Sequence, residues 1–370
     1  MNEHQPPELD PIPTADNDPE LGKLKRNVKP TPQEQEQAKY ERFLSSVRDY
    51  RSLSENKVKH QADEILKNGI HVPTRFGIDC QFLPGTLNIL SGGSGHGKST
   101  LAMNWLLEWI GNPKECDIDA VFLYVSYESH QVLITQKLID IGQKMKGKLP
   151  FPVEPSEIFD HLFVASDVPL EDLPALIKAA RTDKAIRWDN PEINDLTVIP
   201  VILVLDYSQI IRTDNPVICR ASGYERMKLI ALHLEQLARR ENIILICLAQ
   251  QNRQGEIRES QDLFFFSSTV INLFNHARTP GIDSATIEDA ATRTKQIKDD
   301  QREPWKQHLD EVDGRQICSL QLSKNRYGSL DSHWKTYAFD GTLFEGWTTE
   351  ADRQGGRSAI DQILSSGGNG

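Results

Sequence analysis

Cysteine is scarce in this sequence: five in 370 residues, Cys80, Cys116, Cys219, Cys247 and Cys318, with no Cys-x-x-Cys pair among them. An odd, scattered set excludes a disulfide framework and offers no zinc-site spacing. Cys247 falls inside an apolar strand pattern and reads as a small core residue. Long apolar runs are missing too, and none approaches the ~20 residues that span a bilayer as a helix. The N-terminus carries Glu3, Glu8, Asp10, Asp16, Asp18 and Glu20 among prolines instead of a basic, then apolar, secretory leader. A cytoplasmic protein with no membrane partner is expected. Positive charge is in deficit, with 42 Lys and Arg against 53 Asp and Glu, a net charge of −11 and a pI near 5.5. That balance excludes a protein that coats nucleic acid over its whole surface, and leaves room for a basic channel inside an assembly. No internal repeat is present.

What is there divides by composition. Residues 1–32 are rich in Pro, Asp, Glu and Asn, bury too little apolar surface to offset ordering entropy, and are expected to be disordered. Residues 33–68 turn to Glu, Gln, Lys, Arg and Leu, with Tyr40, Phe43, Leu44 and Val47 as apolar marks. They read as a helical linker, either solvated or packed on a neighbouring subunit. Residues 69–349 alternate apolar strands with helical stretches. Strands are expected at 87–90, 121–127, 161–165, 201–205, 243–248, 270–274 and 317–322. A helix is expected at 224–240, with Met227, Ile230, Leu234 and Leu237 on one side. The alternation predicts an α/β fold, a mainly parallel sheet covered on both faces, with ligands at the carboxyl ends of its strands. Residues 279–316 read as a polar insertion, and 350–370 as a tail that is flexible toward its end.

Residues 91–100 read SGGSGHGKST, and Gly92 to Ser99 fit Gly-x-x-x-x-Gly-Lys-Ser. An apolar strand precedes this run. A helix follows it, with Leu101, Trp105 and Trp109 recurring every four residues. In such a loop the backbone N–H groups of Gly92, Gly93, Ser94, Gly95, His96, Gly97, Lys98, Ser99 and Thr100 can converge on phosphate. Lys98 reaches the β and γ oxygens, and the Ser99 hydroxyl can ligate Mg²⁺. ATP with Mg²⁺ is the expected ligand. Five apolar residues, 201–205, deliver Asp206 at a strand end, which makes it the candidate metal-side acid. Glu128 ends the strand after the loop's helix and is the candidate general base. Gln250, at the end of strand 243–248, is a neutral amide suited to sensing a γ-phosphate. Lys324 and Arg326, one residue apart on an extended chain, point the same way and are candidate cations for charge developing on that phosphate.

The order of these parts resembles the RecA-type ATPase core, and within it the motor domain of DnaB-type replicative hexameric helicases, over about residues 69–347. The carrying strings are GIHVPTRFGIDCQF from Gly69, PGTLNILSGGSGHGKSTLAMN, VSYES around Glu128, LVLDYSQII from Leu203, LAQQNR from Leu248, IRES from Ile257, and SKNRYG from Ser323. Any one is weak, but seven in the family's order are specific. The resemblance implies a homo-oligomer, a ring of six with ATP at subunit interfaces and Lys324 and Arg326 acting in trans. It also implies single-stranded DNA in the central channel, a linker helix docking on a neighbour, and a possible loader or replication-initiator protein as partner. IRES falls where the family places a DNA-contacting loop, so Arg258 with Glu259 is the leading DNA-binding pair; Arg253, Arg212 and Arg220 are further loop candidates.

Three departures stand out. His96 occupies a position of small or apolar residues, Gln261 follows IRES where the family has Gly, and the 279–316 segment is longer than the family's connection. No globular domain is expected ahead of the linker, which fits a plasmid, phage or other mobile element. A nucleotide-dependent ring or filament scaffold, or a nucleic-acid-binding adaptor, remains open beside the helicase reading.

Overall fold

Strand β3 (Thr86–Gly92) is buried at all seven positions, because it lies at the heart of a nine-stranded sheet in which both faces are covered. In the computed structural model, residues 65–112, 120–146, 160–187, 196–251, 261–275, 316–330 and 335–346 are described, with 59, 63 and 158. All those from 65 onward belong to one contact unit. The expectations for residues 1–32, for most of 33–68, for 279–315 and for 350–370 lie outside the described residues.

The other elements follow in chain order. They are β1 (Ile70–His71), β2 (Gln81–Phe82), α1 (Lys98–Gly111), β4 (Val121–Ser126), α2 (Gln131–Met145), β5 (Leu162–Ser166), α3 (Leu173–Arg187) and β6 (Val201–Asp206). Then come α4 (Pro216–Arg220), α5 (Gly223–Glu241), β7 (Ile244–Gln250), α6 (Gln261–Phe266), β8 (Thr269–Asn275), β9 (Gln316–Asn325), β10 (Lys335–Phe339) and β11 (Phe344–Gly346). The sheet order is β11-β10-β9-β8-β3-β7-β6-β4-β5. From β8 to β5 every neighbour pair is parallel; β9, β10 and β11 are added antiparallel. All seven expected strands are present. The expected α/β arrangement is present: mainly parallel, flanked by helices, with β7 alone separating the loop strand β3 from the acid strand β6.

Each face of the sheet has its own core. One gathers Trp105 and Trp109 of α1 with Phe76, Phe82 and Phe122, and Trp105 meets Phe76 edge-on at 6.1 Å between centroids. Burying such a large apolar side chain is worth about 1.5–3 kcal/mol. The other core holds Ile177 of α3 and the Met227, Ile230, Leu234 and Leu237 stripe of α5. Ser222 starts α5 by accepting from the Glu225 N–H, and Asn242 ends it in the left-handed conformation, as cap chemistry directs.

Strands β10 and β11 were not among the sequence expectations. They form a hairpin around Asp340 and Gly341, where Gly341 takes a φ of +89°. The hairpin is fastened to the loop helix: Asn104 Nδ2 donates to the Thr342 carbonyl at 3.0 Å, and the Phe344 N–H donates to Asn104 Oδ1 at 3.3 Å. Lys144 of α2 holds the turn from the other side, through Asp340 Oδ2 at 3.3 Å and Thr342 Oγ1 at 3.0 Å.

Candidate nucleotide-binding site

Parallel pairing brings the ends of four strands to one edge. Gly92 pairs with Gln250, Ser126 with Asp206, and the Gln251 N–H donates to the Gly92 carbonyl at 2.9 Å. The residues just beyond these ends enclose a cleft of about 300 Å³, lined by Ser94, Gly95, Gly97, Lys98, Ser99, Thr100, Glu128, Lys137, Tyr207, Gln250, Gln316, Phe339 and Gly341.

The loop is built for close approach. Gly97 is the N-cap of α1 with a φ of +97° and no side-chain cap, so the first-turn N–H groups face the cleft without a capping side chain. A Cβ at Gly97 would stand 3.1 Å from the Phe344 ring, and one at Gly92 would stand 2.5 Å from the Leu273 carbonyl oxygen. Phe339 and Phe344 stack at 4.2 Å beneath the loop. Lys98 Nζ donates back to the Gly92 and Gly93 carbonyls at 3.0 and 2.9 Å, which holds its ammonium over the loop. Burial pushes Lys98 below its ordinary value, with the carboxylates of Asp206 and Glu128 opposing. Of the nine loop residues named from sequence, Gly92, Gly93 and His96 lie behind the cleft and the other six line it.

Asp206 is 5% exposed, and its Oδ2 accepts from the Tyr124 hydroxyl at 2.6 Å. Tyr124 is also hydrogen-bonded to Ser99, and burial first, then Asp206, pushes its hydroxyl well up. The phenol therefore joins the two candidate metal ligands. Among the described residues no three His, Cys, Asp or Glu side chains converge on one point. A hydroxyl and one carboxylate are oxygen donors too few to cage a cation alone. That donor set fits Mg²⁺, which keeps waters and takes phosphate oxygens as its remaining ligands.

Glu128 is exposed, its N–H tied to Ser126 Oγ at 3.3 Å. Gln250 is clasped at its backbone: its N–H donates to Gln209 Oε1 at 3.2 Å, and Gln209 Nε2 returns a bond to its carbonyl at 3.1 Å. Behind it Gln251 Nε2 donates to Ser91 Oγ and to Asn272 Oδ1, both at 3.0 Å.

Two groups escaped sequence reasoning. Lys137 of α2 lines the cleft, and burial lowers it while Asp206 and Glu128 oppose; its only signal was its place nine residues after Glu128. Gln209 was visible in the LVLDYSQII string, but its role as a clasp was not.

Lys324 and Arg326 do not line this cleft. Because β9 runs antiparallel to β8, Asn325 pairs with Thr269, whereas the loop end of β3 pairs with Leu273. Four residues of strand, about 13 Å, separate the two levels, so the cations sit toward the opposite edge of the sheet. There Lys324 Nζ donates to the Phe264 carbonyl and, at 3.2 Å, to the Phe265 carbonyl; Arg326 reaches the Phe265 carbonyl at 3.3 Å. These are the last carbonyls of α6, where a cation complements the helix end. Burial, then the neighbouring Arg326, brings Lys324 down to about 8.

Of the DNA candidates, Arg253, Arg258 and Glu259 lie outside the described residues. Arg212 is exposed and pairs with Asp167 Oδ1 at 3.2 Å. Arg220 is exposed at the end of α4, beside an open depression shared with Pro216, Val217 and Glu225. Among the described residues no helix is long and apolar enough to cross a membrane.

No protein-family model matches the sequence, and no curated protein does. Many solved structures are similar, and three of them illustrate the range. One is a DnaB-like replicative helicase, described with its interactions with primase, at 15% identity and TM-score 0.47 over 72% of this chain and 58% of that one. The chain thus spans under two thirds of that helicase's length. Another is a single ATPase domain, at 15% identity and TM-score 0.49 over 79% of this chain and 96% of that one. The third is a KaiC-like protein of the hyperthermophilic archaeon Pyrococcus horikoshii, at 12% identity and TM-score 0.45 over 72% of this chain and 91% of that one.

Proposed function

We propose that this chain is an ATP-dependent DNA helicase of the DnaB type, from a plasmid, phage or other mobile element. It forms a ring of six and translocates on single-stranded DNA by hydrolysing ATP at subunit interfaces. The observation that carries the reading is the split of the machinery between two edges of one sheet. Lys98, Ser99, Glu128, Gln250 and the Tyr124–Asp206 pair gather at one edge, while Lys324 and Arg326 stand toward the other. A nucleotide in the cleft meets both sets only when a second copy supplies its cations.

In this reading the loop N–H groups and Lys98 bind and orient the phosphates. Glu128 takes a proton from the attacking water, and Gln250 senses the terminal phosphate. Ser99 and Asp206 would hold Mg²⁺, which supplies neutralisation of the phosphate oxygens, and Tyr124 keeps the Asp206 carboxylate in place. The neighbour's Lys324 and Arg326 stabilise charge as the terminal phosphoryl group departs. Arg258, assisted by Arg253, Arg212 and Arg220, contacts DNA phosphates, so binding falls steeply with salt.

A forked-duplex assay with ATP and Mg²⁺ tests this directly. The expected result is hydrolysis stimulated by single-stranded DNA together with strand displacement. Hydrolysis with no displacement at any protein concentration overturns the helicase reading and leaves a nucleotide-dependent scaffold or adaptor.

A further inference from the structure

His96 has no place in the chemistry above, yet it is the most heavily engaged side chain of the loop. It is 7% exposed and packs edge-on against Phe274 at 5.4 Å. Its Nδ1 receives the Gly93 N–H at 3.1 Å and the Asn275 N–H at 3.3 Å. One ring nitrogen can accept from two amides only if it carries no proton, which assigns the neutral tautomer with hydrogen on Nε2. Gly93 and His96 fit as a pair, since a Cβ at Gly93 would lie 2.5 Å from Nε2. The ring is thus a prop between the loop and the end of β8.

The same nitrogen lies 3.3 Å from the Leu273 carbonyl oxygen. With Nδ1 as an acceptor this contact is not a hydrogen bond; with a proton on Nδ1 it becomes one, and the bonds from Gly93 and Asn275 are lost. The charged group facing the ring is Lys98, from the loop side, while β8 contributes backbone and the Phe274 ring. Burial first, and Lys98 with it, hold His96 below its ordinary value, against the pull of the Leu273 carbonyl. The neutral ring therefore persists into mild acid.

We propose that His96 is a positioning residue: its neutral imidazole fixes the phosphate loop in the shape that receives nucleotide, and protonation releases the loop and weakens binding. The inference rests on the nucleotide reading above. Attraction between an imidazolium and phosphate works the other way, but His96 does not line the cleft and its two amide bonds are lost outright.

The test is titration of the full chain with a fluorescent ATP analogue and Mg²⁺ from pH 7.5 to 5.0, for wild type, His96→Asn and His96→Leu. Thermal melts at each pH identify any unfolded sample. The Asn amide oxygen can accept where Nδ1 does and does not titrate, so it also carries the nucleotide's own protonation as a baseline. Relative to His96→Asn, wild type is expected to lose about threefold or more of its affinity at pH 5.0, the loss beginning below pH 6.5. His96→Leu is expected to bind weakly throughout, without that slope. Parallel profiles for wild type and His96→Asn, or tighter wild-type binding in acid, overturn the proposal. Should Lys98→Ala bind as well as wild type at pH 7.5, the nucleotide reading is what fails.

Discussion

The two edges of the central sheet differ in kind. At the carboxyl edge, acids, two lysines and backbone N–H groups surround a cleft, and cross-strand bonds from Tyr124 to Asp206 and from Gln251 to Ser91 and Asn272 brace it. At the opposite edge, Lys324, half-buried, and Arg326, exposed, rest on the carbonyls that end α6, without a carboxylate in the contacts described. The first edge encloses a polar cleft, and the second carries two cations on a helix end. In a parallel sheet one chain cannot fold its amino edge onto its carboxyl edge, so a reaction needing both is a reaction between copies.

Breaking that comparison is most direct at the outward edge. Replacing both Lys324 and Arg326 by Ala is expected to lower kcat by about 10³–10⁵, the range for a cation acting on the departing phosphoryl group, with ATP binding retained. Mixing that variant with Lys98→Ala, itself inactive, should restore measurable turnover, because each supplies what the other lacks. No recovery on mixing would place the cations outside the reaction.

At the cleft edge, Glu128→Gln is expected to cost about 10²–10⁴ in turnover while leaving nucleotide affinity near wild type by equilibrium binding. The next effect is a pH dependence. Lys324 titrates at about 8, so turnover should decline as pH rises past that value, and Lys324→Arg should remove the decline. The sign separates this from unfolding. The unfolded chain keeps its lysine proton toward the ordinary 10.5, so between about 8 and 10.5 it binds more protons than the folded chain and Lys324 makes folding more favourable as pH rises. Activity falls where this group's contribution to stability grows, which parallel melting and rate profiles would show.

Two smaller changes sharpen the picture. Tyr124→Phe removes a buried hydrogen bond to a carboxylate and should cost about 1.5–3 kcal/mol in denaturant unfolding, with a higher Mg²⁺ requirement for turnover. Arg212→Ala breaks an exposed ion pair and should change stability by less than about 1 kcal/mol. If Arg212 touches DNA, the same change lowers the salt slope of binding by about one.

How much of this was legible in the sequence follows from burial. The six parallel strands are apolar on both faces, so runs such as VILVL and ILICL announced themselves, and their carboxyl ends named Asp206 and Gln250. The antiparallel hairpin was missed because Lys335–Phe339 opens on Lys and Thr and leaves only the short apolar run Tyr337, Ala338 and Phe339, all buried, too brief to stand out as a strand. Its one clear signal was Asp340–Gly341 between apolar pairs. The helix spacing of Lys137 was equally silent, since only the packing of α2 brings that ammonium to the cleft. His96 was read from its place in the loop, but its partners are backbone groups of Gly93 and Asn275, the latter 179 residues away, and no local pattern encodes them.

The Phe339–Phe344 stack beneath Gly97 has a consequence for how the protein comes into being. The strands that floor the cradle leave the ribosome roughly 240 residues after the loop itself. A nascent or clipped chain that stops short of Phe339 carries the loop sequence without this aromatic floor, so the cradle takes its described shape only after those strands have been made.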